Sequence, residues 1–394
     1  MASPGSCGLP CFAPAHRTSP PCMPTHRRKS SDIAISPPPL AGVGRVGALK
    51  TKSFASRTDR LQAMNQALDR ELSRLSQRAG SSQSSLLTEM VQYHLGLRKA
   101  GERPGKRLRA NIALLTCEAF GKRYADALWA AVAVELVHNF SLVFDDVQDR
   151  DELRRGRPSV WKVWGVGQAI NAGAALEALV TRAVVDLLPA RYADRTRPAL
   201  SLLSEAMLAL CRGQVIDLQF EQRVDVSVDE YMEMIGLKTA ALFECSARLG
   251  GLAAGMGDAS LDKAGKFGYH LGVAFQVIDD MLGVWGSSSQ TGKAVGSDLK
   301  NGKKTLPTLV ALKGGAAGNR RVLRALLTRA RFTAAEMETA RAIITQASAQ
   351  ATCRRQAAEH LAEARLQLFG MTDRPNWAVR ALAEMVTTLE SGLV

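Results

Sequence analysis

The chain has 394 residues, 46% of them hydrophobic, and a formal charge of +14, which predicts a globular protein with a sizeable core in one large domain or two ordinary ones. No apolar run reaches the roughly 18 to 20 residues of a bilayer span, so no membrane span is expected. Half of the excess charge sits in residues 1–57, aromatics are sparse and no groove-reading motif appears, so no nucleic-acid partner is expected.

Residues 1–57 hold nine of the fifteen prolines, with eight Lys or Arg against one acid, Asp32. Such a segment buries too little apolar surface to offset its ordering entropy, and disorder is the expectation. Cys7, Cys11, Cys22 and His26 loosely imitate a zinc spacing. With almost nothing around them to build a core, they read as incidental cysteines in a tail. There is no compact apolar stretch followed by a small-residue cleavage site, which predicts an intracellular, cytoplasmic protein. The Arg- and Ser-rich, acid-poor composition also fits an organelle transit peptide. The short stretch "IAISPPPLAGVG" is a candidate docking contact.

From residue 58 the composition shifts to Ala, Leu, Arg and Glu at helical spacing. "LQAMNQALDRELSRL", "ADALWAAVAVELVHNFSLVF", "GQAINAGAALEALVTRAVVDLL" and "PALSLLSEAMLALCRGQVIDLQFE" place apolar residues three and four apart. Alternating β-branched runs are almost absent. The expectation is a single all-α domain over 58–394, a helical bundle with several central helices and no internal repeat. Cys117, Cys211, Cys245 and Cys353 stand singly in helical context and read as buried free thiols.

The chemistry-bearing groups follow in order. "RPGKRLRAN" supplies Lys106, Arg107 and Arg109. "SLVFDDVQDRDELRRGRPSVW" crowds five acids into eight positions and then supplies Arg154, Arg155 and Arg157. Asp145 and Asp149, four apart, share a helix face, where two unpaired carboxylates repel by a few tenths of a kcal/mol. "GLKTAALFE" carries Lys238. "FQVIDDMLGVWG" repeats the acidic pair as Asp279 and Asp280, and "TGKAVGSDLKNGKKTLP" brings Lys293, Lys303 and Lys304. Clustered carboxylates without Cys or His suit a hard cation, magnesium above all where phosphates complete its coordination. Cationic groups beside two acidic pairs point to a diphosphate ligand.

The order "GKRLR", "DDVQD" with "LRRGRP", "GQVIDLQFE", "KTAALF", "FQVIDDML", "GKAVGSDLKNGKKTLP" resembles the trans-polyprenyl diphosphate synthases over about residues 60–390. The resemblance implies the all-α isoprenoid synthase type I bundle around a central cavity. It also implies elongation of an allylic diphosphate by isopentenyl diphosphate, and homodimers. In the family's pattern Asp145, Asp149 and Asp279 hold magnesium, three ions per site, with Asp146 and Asp280 in support. Lys106, Arg109, His138 and Arg155 bind isopentenyl diphosphate. Arg154, Lys238, Thr239, Gln276, Lys293 and Lys303 face the allylic diphosphate. His138, seven residues before Asp145 and so about two turns along the same face, matches the family position. The departing diphosphate is the base, so no dedicated one is required.

Product length is implied by the residues below the first motif. Phe140 and Ser141, five and four before Asp145, resemble the pattern that stops near C20, and Val137 and Ala133 lie further down the same helix. The C20 product is favoured over C15 or C10. Simple core packing remains the alternative for Phe140. Two departures stand out: Gly283 replaces a third Asp in the second motif, and Ser287 stands where an acid is common. Activity with an altered magnesium requirement is expected, against the rival reading of a noncatalytic or regulatory subunit. A class I terpene cyclase is a further alternative, but no Asn-Ser-Glu type motif is found and it has no need of "GKRLR". The tail is similar to segments that recruit some bacterial terpene-pathway enzymes into encapsulin shells, which makes shell docking the expectation for it.

Overall fold

The computed structural model of the protein describes residues 56–80, 85–97, 105–223, 225–286, 302–329, 332–373 and 375–393. The zinc-like spacing, the proposed docking stretch, Lys293 and Ser287 all lie outside the described residues.

Helix α1 (Arg57–Ser76) starts where Ser56 Oγ accepts the amide of Asp59, which satisfies one of the orphan N–H groups of a first turn. Helices α2 (Leu86–Leu95) and α3 (Leu108–Ala119) lead to α4 (Leu128–Gln148), the central element. From Trp129 to Val137 every residue of α4 is buried, because the sequence there is apolar on all faces save Glu135. Around α4 pack α3, α6 (Val166–Leu187) and α9 (Ala241–Ala254), with the short α5 (Val160–Trp164) joining α4 to α6.

Helix α7 (Thr196–Gln222) continues to α8 (Val228–Ile235), which begins with a reciprocal Ser227–Glu230 cap. A π-helical turn, Gly236–Ala240, then runs into α9, and α9 closes on Gly255 in the left-handed conformation. Helix α10 (Asp258–Trp285) lies close to α9 because Gly268 has no side chain; a Cβ there would stand 2.4 Å from the carbonyl oxygen of Phe243. Beyond residue 301 come α11 (Leu306–Gly314), α12 (Ala317–Leu327), α13 (Ala334–Gln346), α14 (Ala349–Gly370) and α15 (Trp377–Ser391). Helix α14 packs along α10. Asn376 caps α15 and also donates to the last carbonyls of α3, at Glu118 and Ala119.

The all-α expectation holds. The one sheet among the described residues is a two-residue hairpin, β1 (Leu153–Arg154) with β2 (Arg157–Pro158), formed by the "LRRGRP" segment. Two sequence expectations are corrected. Tyr124–Gln148 and Ala190–Gln222 are both long and apolar enough to cross a membrane by length and composition. The most apolar 18-residue stretch of the first is 78% buried, as befits a core helix; that of the second is only 33% buried, and the helix exposes Leu208 and Val215. Cys211, on that same open face, is exposed, whereas Cys117, Cys245 and Cys353 are buried and their thiols are held un-ionised by burial.

Candidate active site

Two charged regions share helix α4, two turns apart. At its C-terminal end Asp145 and Asp149 face α7, where Asp217 and Glu221 stand one turn apart. Lys303 Nζ lies 2.9 Å from Asp149 Oδ2, and Lys238 Nζ 2.6 Å from Asp217 Oδ2. Burial raises the Asp145 pKa against the pull of Lys238, and the Asp149 charge raises it further. Burial and Asp149 likewise raise Glu221. Carboxylates gathered in this way hold lysines as counter-ions, and the donor set of hard oxygens fits a divalent cation.

Lys238 and Thr239 sit on the π turn, a local widening of the helix that recurs at functional sites. The turn lies against α7 because Gly213 has no Cβ; one would come within 2.4 Å of the Lys238 amide nitrogen. Thr239 Oγ1 donates to Gln276 Oε1 at 2.9 Å, and Gln276 Nε2 donates to Asp280 Oδ1 at 3.0 Å. Asp280 is buried and also accepts Tyr231 Oη and the Leu306 amide. Its oxygens therefore organise α8, α10 and α11, while Asp279 beside it is exposed. Asp146 is bound by Arg154 through Nε and Nη2, and burial outweighs that partner to bring its pKa up to about 6. Arg154 is thus held by Asp146, with Asp151 3.5 Å away. Among the described residues no three acidic or imidazole side chains converge on one point.

Toward the N-terminal half of α4 the charge reverses. His138 lies among Arg109, Arg155, His94 and Arg154, and burial together with these arginines lowers its pKa well below the usual value, so its imidazole is neutral. His94, buried with Nε2 unpartnered, is lowered to about 3 by burial and by Arg155, Arg154 and Arg157. Arg109 is packed over the Phe243 ring at 4.5 Å, its Nε has no hydrogen-bond partner, and burial lowers its pKa to about 10. Glu135, an opposing charge nearby, offsets that burial only in part. Lys106 is exposed, whereas Arg107 turns inward onto Glu135 and Asp69.

Phe140 is buried and meets Phe144 edge to face at 6.0 Å. Val137 and Ala133 are fully buried, and Ser141 Oγ donates to the His138 carbonyl at 2.9 Å. Gly283 is on the last turns of α10. Sequence reasoning assigned no role to Asp217, Glu221, His94, Glu135 or Asn139. For the first two the spacing 217/221 on an amphipathic helix was an available signal.

The polyprenyl synthetase family model matches residues 85–344. A (2E,6E)-farnesyl diphosphate synthase of Mycobacterium bovis is 44% identical over 237 residues, 59% of this chain and 65% of that protein. The chain therefore spans just under two thirds of that relative's length. A geranylgeranyl diphosphate synthase of Mycobacterium tuberculosis is 41% identical over 272 residues, 68% of this chain and 77% of its own. The crystal structure of a polyprenyl synthetase from Streptomyces coelicolor A3(2) superposes with a TM-score of 0.74 at 34% identity, covering 84% of this chain and 98% of that one. With the fold, the two charged regions and the family match in agreement, the chain belongs to the polyprenyl synthetase family.

Proposed function

We propose that the protein is a trans-prenyltransferase that elongates an allylic diphosphate with isopentenyl diphosphate to a short-chain all-trans prenyl diphosphate. The observation that carries this reading is the bipolar face of α4. One end gathers carboxylates for a cation and the other gathers arginines and neutral histidines for an anion, the pairing that a two-diphosphate condensation requires.

Asp145 and Asp149, with Asp279 across the cavity, would hold magnesium, three ions in the family's pattern. When bound, magnesium supplies charge neutralisation on the leaving diphosphate. Lys238, Lys303, Lys293, Thr239, Gln276 and Arg154 orient the allylic diphosphate. Asp146 and Asp280 keep Arg154 and Gln276 in place. Lys106, Arg109, Arg155 and the neutral His138 grip the second diphosphate and hold its double bond against the allylic carbon. The departing diphosphate takes the proton. Gly283 leaves Asp279 without a third acid four residues on, so the metal requirement differs from that of a complete motif.

Purified protein incubated with labelled isopentenyl diphosphate, magnesium and each allylic primer should give linear elongated products. Cyclic hydrocarbon would favour a terpene cyclase, and binding without elongation a regulatory subunit. Relatives named farnesyl, geranylgeranyl and geranylfarnesyl diphosphate synthase support a short-chain product. The ring of Phe140 below the motif favours C20, and Phe140→Ala should shift the product longer; an unchanged spectrum refutes the floor role.

A homodimer is part of the proposal, supported by exposed Val166, Ile170 and Val185 on α6 and Leu208 and Val215 on α7. Sedimentation distinguishes dimer from monomer. Residues 1–57, an encapsulin-docking tail in this reading, with organelle targeting the alternative to a cytoplasmic shell, are tested by deletion. Catalysis should persist and co-purification with a shell should be lost.

A further inference from the structure

Arg107 and Arg155 both adopt the left-handed conformation, with φ of 52° and 53°, which a Cβ disfavours. Arg155 is the first turn residue of the β1–β2 hairpin, and Gly156, with φ of 76°, is the second. Both arginines fold inward onto α4. Arg155 Nη1 donates to the His94 carbonyl at 3.3 Å and Nη2 to Asn139 Oδ1 at 3.2 Å. Its guanidinium lies against Gly105, where a Cβ would come within 3.0 Å of Nη2.

Asn139 is fully buried, and its amide has one orientation only. Nδ2 donates to the Glu135 carbonyl at 2.7 Å and to Glu135 Oε1 at 2.9 Å, both acceptors, so Oδ1 is left for Arg155. Glu135 Oε1 also receives Arg107 Nη1 at 2.6 Å, and Arg107 Nη2 reaches Asp69 Oδ1 at 2.9 Å and the Leu95 carbonyl at 3.3 Å. A buried chain, Arg155–Asn139–Glu135–Arg107, thus runs along α4 and ties the hairpin to the turn that carries Lys106 and leads into Arg109 at the start of α3.

We infer that Glu135 and Asn139 are positioning residues for the isopentenyl diphosphate site, holding two strained turns in mutual register so that Lys106, Arg109 and Arg155 converge on one anion. This rests on the function proposed above. One of the five N–H donors of Arg155 is engaged by the relay at Asn139 and a second by the His94 carbonyl, which fixes the plane of its guanidinium and orients the remaining donors.

The test uses the full chain with Asn139→Leu, similar in volume, with Asn139→Ala as the second variant should the leucine misfold. Either variant should raise KM for isopentenyl diphosphate roughly tenfold, as expected for a lost bond to a charged group, while KM for the allylic diphosphate stays within about twofold. Equal rises in both KM values, or a lowered Tm with neither KM moved, would overturn the inference. Wild-type protein run alongside separates the two readings. No elongation by it refutes the proposed function and this inference with it, whereas normal elongation with unmoved KM in the variants refutes positioning alone.

Discussion

The two ends of the α4 face differ in what they lack. The acidic end, Asp145, Asp149, Asp217 and Glu221, already holds Lys238 and Lys303 within 3 Å of two of its carboxylates. The basic end has Arg109, Arg155, His94 and His138 around a single buried carboxylate, Glu135, which is itself engaged by Arg107 and Asn139. Mobile lysines can be exchanged for another cation, while buried arginines cannot be neutralised and can only be matched by an anion. The acidic end is therefore built for exchange and the basic end for capture. Removing charge should accordingly cost the first in turnover and the second in affinity.

The largest expected effect is at the acidic end. Asp145→Ala removes a carboxylate that, in the proposed reaction, holds magnesium as charge develops on the leaving group, and turnover should fall by about three orders of magnitude or more in an elongation assay. Near-normal turnover would break the comparison. At the basic end, Arg109→Met should raise KM for isopentenyl diphosphate about 10- to 100-fold, as for loss of an arginine–phosphate contact. Because Arg109 has no carboxylate in hydrogen-bond contact among the described residues, the variant's Tm should hold or rise. A large loss of Tm with KM unmoved would make it a core residue instead.

The smallest effect concerns His94. Its pKa falls from the ordinary 6.5 to about 3 on folding, so between those values the unfolded chain binds a proton that the folded one does not. The contribution is fully present above pH 6.5 and is lost as pH falls toward 3. The slope is at most about 1.4 kcal/mol per pH unit. In urea unfolding at pH 7.5 and pH 5, His94→Gln should lose less stability than the wild type on acidification. An identical difference between the two pH values would sharpen the assignment toward His138, which is shifted in the same direction.

The fold class and the motif order were legible because they are local: helical spacing, paired acids and lysine clusters lie within short windows. Which member of a cluster faces the ligand was not. Lys106, Arg107 and Arg109 read alike as donors, yet Arg107 is buried on Glu135, 28 residues on. Lys304 likewise turns away, its Nζ on the Glu221 carbonyl. That Asp146 clasps Arg154 by two of its nitrogens, a contact set by the hairpin fold of "LRRGRP", was not legible either. Glu135 and Asn139 carry no motif. Their roles exist only where a hairpin, a turn and a core helix meet, and no window of sequence spans all three.

Gly213 has no side chain to supply a charge, a donor or a ring, yet the spacing of α7 and the π turn depends on it. With 2.4 Å between an imagined Cβ and the Lys238 amide nitrogen, any side chain there would have to push the π turn off α7. The Lys238–Asp217 contact spans the same gap. The tolerance between the two walls is thus set by a single hydrogen atom, like a shim in a bearing. A methyl group placed there would mistune the reaction from outside its chemistry.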